Sequence, residues 1–78
     1  MIPTLEEICR NNGFPQIDAN KSITTTTPRV RIEWEPQMGD YQTGLLTAVY
    51  LNVWSNPIRR EDYIRRPDNS WGYTTEKY

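Results

Sequence analysis

The side chains best suited to chemistry gather late in the chain. Arg59, Arg60, Arg65 and Arg66 surround Tyr63, and Trp71 and Tyr73 follow. Guanidinium groups hold phosphates and aromatic rings stack bases, so this stretch has the composition of a surface for single-stranded nucleic acid. Glu61 and Asp62 lie within it and can neutralise half of it by internal pairing. The whole chain carries 9 basic and 10 acidic residues, a formal net charge of −1. That balance argues against a general phosphate-backbone binder, which needs a strongly basic field, and against a DNA mimic, which needs a strongly acidic one.

Catalytic chemistry has little to build on. Histidine is absent, which removes the commonest general base near neutral pH and any triad built on it. The single cysteine, Cys9, allows no intrachain disulfide, and without histidine a zinc site of ordinary composition is excluded. Cys9 falls within an apolar stripe, where a thiol acts as a small core residue rather than a nucleophile. Glu33 and Glu35 alternate with apolar residues, which points both carboxylates at solvent instead of into a pocket that would raise one pKa. No glycine loop for phosphate is present, and Asp18-Ala19-Asn20 lacks the later ligands of a calcium loop. The expectation is a protein that is not an enzyme and carries no cofactor or metal.

The elements that must position these residues follow from periodicity. Val30, Ile32 and Trp34 alternate with Arg29, Arg31, Glu33 and Glu35, which predicts a half-buried strand over 29–35 between Pro28 and Pro36. After a polar connection, 37–44, the apolar run 45–54 predicts the antiparallel partner and completes a core hairpin. Leu45, Ala48, Val49 and Asn52 also fit a helical period, but β-branched and aromatic residues favour a strand. Its two faces, Leu45, Thr47, Val49, Leu51 and Val53 against Leu46, Ala48, Tyr50, Asn52 and Trp54, both carry apolar groups. A strand of that kind sits in the middle of a sheet or presents one face to a partner.

Thr4-Leu5-Glu6-Glu7 has the form of a capping box, and Leu5, Ile8 and Cys9 share one stripe, which predicts a short helix over 5–11 stopped at Asn12-Gly13. Ile23 to Thr27 and Trp71 to Thr75 read as further short strands. Asn56-Pro57 resembles a helix cap with proline at the first position, and Glu61 and Arg65, like Asp62 and Arg66, stand at i, i+4; a short helix or turn is expected over 57–66. Glu76-Lys77-Tyr78 is expected to fray. The fold class is therefore α+β, a small antiparallel sheet with one or two short helices, and 1–78 is read as one domain.

A core this small invites a partner, and tryptophan, tyrosine and arginine dominate binding hot spots. The functional expectation is a protein-binding module using Tyr50, Trp54, Arg59, Arg60, Tyr63, Arg65, Arg66 and Trp71. A small phage or mobile-element accessory protein, an inhibitor of a host machine or an assembly subunit would have this make-up, with another protein or a second copy as partner. The alternative is a single-stranded nucleic-acid-binding protein using the arginine cluster. No apolar run approaches membrane-spanning length and the start lacks the pattern of a signal peptide, so a cytoplasmic location without a membrane partner is expected.

Overall fold

The structure, a computed structural model, describes residues 2–36 and 44–78. One helix, α1 (Leu5–Asn11), precedes five strands: β1 (Ile23–Thr26), β2 (Val30–Pro36), β3 (Gly44–Leu51), β4 (Pro57–Arg65) and β5 (Trp71–Lys77). Every strand pairs antiparallel with its sequence neighbour, in the order β1-β2-β3-β4-β5. The expected hairpin is the centre of this meander, with Ile32 opposite Ala48 and Trp34 opposite Leu46. The polar connection 37–43 lies outside the described residues.

α1 forms as its capping box dictates. The Glu7 N–H donates to Thr4 Oγ1 at 3.2 Å, the Thr4 N–H donates to Glu7 Oε1 at 3.3 Å, and Gly13 leaves the helix at φ 72°. Seven residues of helix do not persist in water without a surface to lie on. Leu5 and Cys9 supply the contact, joined by Phe14 and Ile17 from the following loop, and together they cover Val30, Ile32, Trp34, Leu46, Ala48 and Tyr63. Trp34 is only 1% exposed, and its Nε1 donates to the Ala19 carbonyl at 3.0 Å, so the ring is buried without stranding its polar atom. Gly44 lies against that ring: a Cβ there would fall 2.6 Å from Trp34 Cζ2 and 2.7 Å from the Glu35 carbonyl.

Three expectations are corrected. Residues 57–66 form no helix; Pro57–Arg65 is β4. The i, i+4 pairs do not form, and the charges pair at the i, i+2 spacing of a strand, Arg59 with Glu61 at 3.7 Å and Arg60 with Asp62 at 3.1 Å. Asn56 closes a turn instead of capping a helix. Its N–H donates to Asn52 Oδ1 at 3.0 Å, and Asn52 Oδ1 also accepts from the Trp54 N–H at 2.9 Å. That side chain ends β3 at Leu51, so Val53 and Trp54, expected in the strand, are thrown out into the turn.

The third correction concerns the final residues. β5 runs through Glu76 and Lys77, and the Tyr78 N–H donates to the Ile58 carbonyl at 3.3 Å, so the segment expected to fray is paired. At the other end of β4, Asn69 at φ 69° and the Asp68 carboxylate, which accepts from the Ser70 N–H at 2.9 Å, make the tight turn into β5. Replacing Trp34 by alanine removes the ring on which both the sheet and its cover rest; urea denaturation should show a loss of about 3–5 kcal/mol, a large share of a small domain's stability.

Candidate functional site

Alternation divides the strand residues between a face under α1 and a face open to solvent. On the covered side, β4 contributes Arg59, Glu61, Tyr63 and Arg65, and β5 contributes Trp71 and Tyr73 in register. Glu61 is the hub of this group. It is 8% exposed; Oε1 accepts from the Tyr63 hydroxyl at 3.2 Å, Oε2 accepts from the Tyr73 hydroxyl at 2.7 Å, and Arg59 stands 3.7 Å away. The Arg59 guanidinium lies 4.1 Å above the Tyr50 ring, and that of Arg65 lies 5.3 Å from the Trp71 ring.

Burial alone would push the Glu61 carboxyl up, but the hydroxyls of Tyr73, Tyr50 and Tyr63 and the charge of Arg59 outweigh it and hold the group below its ordinary range. Burial and the Glu61 charge raise Tyr63, and burial followed by Glu61 raises Tyr50. The cluster thus keeps one carboxylate charged and its tyrosines neutral. Nothing in it is poised as a base near neutral pH.

The open side is organised differently. Leu45, Thr47 and Val49 of the central strand lie half-buried along its middle. Arg31 and Glu33 pair at 3.2 Å on one flank, and Arg60 and Asp62 pair at 3.1 Å on the other. Between these rows runs a shallow cleft of about 280 Å³. A larger one, about 580 Å³, lies between the start of α1 and residues 16–20, with Arg65 in its wall.

The residues singled out in the sequence do not share one surface. Tyr50, Arg59, Tyr63, Arg65 and Trp71 belong to the covered side, Arg60 to the open side, and Trp54 and Arg66 to turns at opposite ends of β4. Trp54 is 78% exposed, whereas Arg65 is 9% exposed. Glu61, Tyr73 and the Leu45-Thr47-Val49 row stand out in the sequence but are not among the candidate site residues it suggests. Strand-period alternation over 59–65 puts Glu61 on one side with Arg59, Tyr63 and Arg65, alternation from Trp71 puts Tyr73 beside it on β5, and the two-faced pattern of β3 already contained the row.

Among the described residues, no three histidine, cysteine or acidic side chains gather to hold a metal ion, and no helix is long and apolar enough to cross a membrane. Comparison with protein-family models, with curated proteins and with solved structures finds no match.

Two measurements check this description. Glu61 has its folded pKa below the unfolded value, so its contribution is full above the ordinary carboxylate pKa and disappears as pH falls through the folded one. Thermal unfolding should therefore show Glu61→Gln less stable than the parent at neutral pH and flatter in its acid limb, with the gap closing in strong acid. The Cys9 thiol is fully buried, and burial pushes its pKa up to about 11. A thiol reagent should leave the native protein unmodified for as long as it stays folded and react promptly in denaturant.

Proposed function

We propose that this chain is a non-enzymatic protein-binding module, an adaptor, inhibitor or assembly subunit, that docks its partner on the open side of the sheet. The observation that carries the reading is the row Leu45, Thr47 and Val49 on the central strand, left half-buried between two lines of paired charges. An apolar middle with a polar rim is the anatomy of a protein interface. The surface ion pairs themselves contribute little to stability, so their use here is to exclude partners of the wrong charge pattern. Trp54, exposed at the β3–β4 turn, adds an aromatic anchor at one end of the sheet.

The single-stranded nucleic-acid reading draws less support, because its arginines are dispersed over two sides and a turn, and Arg59 and Arg60 are each paired with a carboxylate. Affinity capture with the parent protein, Val49→Glu and Trp54→Ala decides between the two. Val49→Glu should fold normally and lose a captured protein that the parent retains, and Trp54→Ala should weaken the capture. An oligonucleotide that binds at low salt, with a salt slope flattened by Arg60→Ala and Arg66→Ala, would replace the protein partner with nucleic acid.

A further inference from the structure

β5 is an edge of the sheet, and the direction of its backbone groups can be read from its neighbours. In an antiparallel ladder the N–H and C=O of one residue point the same way, and successive residues alternate. The Tyr78 N–H reaches the Ile58 carbonyl, and the Arg66 N–H reaches the Ser70 carbonyl at 2.9 Å. With Arg60 opposite Glu76 and Asp62 opposite Thr74, the even-numbered residues of β5 face β4. Trp71, Tyr73, Thr75 and Lys77 therefore direct their amides away from the sheet.

Natural edges are blunted by proline, bulges, brevity or charge in the middle of the strand. β5 has no proline, pairs without a register shift, runs for 7 residues, and keeps its charges to Glu76 and Lys77 at one end. The opposite edge, β1, has only 4 residues. There the Thr27 N–H on the Val30 carbonyl leaves just Thr24 and Thr26 facing outward.

We infer that a second copy of this chain pairs with β5 in antiparallel fashion about a two-fold axis at Thr74, joining two sheets into one. In that register Trp71 faces Lys77 of the second copy and Tyr73 faces its Thr75, so every outward amide of β5 finds a partner. On the other side Thr74 meets its own equivalent and Gly72 faces Glu76. No like charges are brought together, a cation lies beside an aromatic ring, and an aromatic residue sits opposite a β-branched one. An axis at Tyr73 or Thr75 instead would leave an outward amide at one end of each strand without a partner in β5.

The inference goes beyond docking on the open face and does not rest on it: Val49→Glu should leave self-association intact. Sedimentation over a dilution series tests it with the full chain. The parent should reversibly dimerise. Thr75→Pro deletes only outward donors, since that N–H plays no part in the β4 ladder, and should weaken the dimer by about tenfold or more. Thr74→Cys should form an interchain disulfide readily, because residues opposite one another in a non-hydrogen-bonded pair lie within disulfide reach, whereas Glu76→Cys, opposite Gly72, should not. Buried Cys9 does not compete. A parent monomeric throughout the series, a dimer that survives Thr75→Pro, or equal cross-linking by the two cysteine variants would each overturn the inference. Should Thr75→Pro fail to fold, the cysteine pair still decides.

Discussion

Two side-chain donors hold the N-terminal segment across the sheet. The indole of Trp34 donates to the Ala19 carbonyl at 3.0 Å, and the indole of Trp71 donates to the Pro3 carbonyl at 2.8 Å. Each belongs to a large ring whose burial supplies apolar area and whose polar atom would otherwise be stranded. The cover therefore has both a reason to lie on the sheet and fixed points at which to lie. A bare sheet of this size would expose both sides of its central strand, and one short helix with a loop is enough to close only one of them.

Where the cover ends, the sheet changes character. The side of β4 and β5 turned toward α1 is not filled with aliphatic residues but with Glu61, its tyrosines and its arginine. The carboxylate accepts hydroxyl donors from several strand positions and so ties β4 to β5 by more than their backbone ladder. Among the described residues, the Nε atoms of Arg59 and Arg65 are buried without a hydrogen-bond partner. Their guanidinium groups are accommodated by ring faces instead of being fully bonded, a weaker arrangement that the small size of the cover makes necessary.

Much of this was legible in the residues themselves. The capping box and the Asn12-Gly13 stop placed α1 at its observed ends, the alternation of Val30, Ile32 and Trp34 gave β2, and the two-faced run after Gly44 gave a central strand. β4 was misread because its charges satisfy two periods at once: Glu61 and Arg65 suit a helix, while Arg59, Glu61, Tyr63 and Arg65 suit a strand. Neighbouring strands on both sides decided the matter, and a pairing partner is not a property of the segment that needs it. The end of β3 was obscured for a related reason, since Asn52 diverts the chain through its side chain although Val53 and Trp54 would pack well in a strand. The candidate surface shifted in consequence, because it depends on which side α1 covers.

Nearest-neighbour pairing throughout the sheet keeps most strand contacts close in sequence, which favours rapid folding for a β protein. The cover stands apart from that pattern. It precedes the strands it covers, is too short to hold its own shape, and has nothing to settle on until β2 and β3 have paired. Assembly of the interior thus depends on hairpin formation, although α1 precedes both strands of the hairpin in the chain.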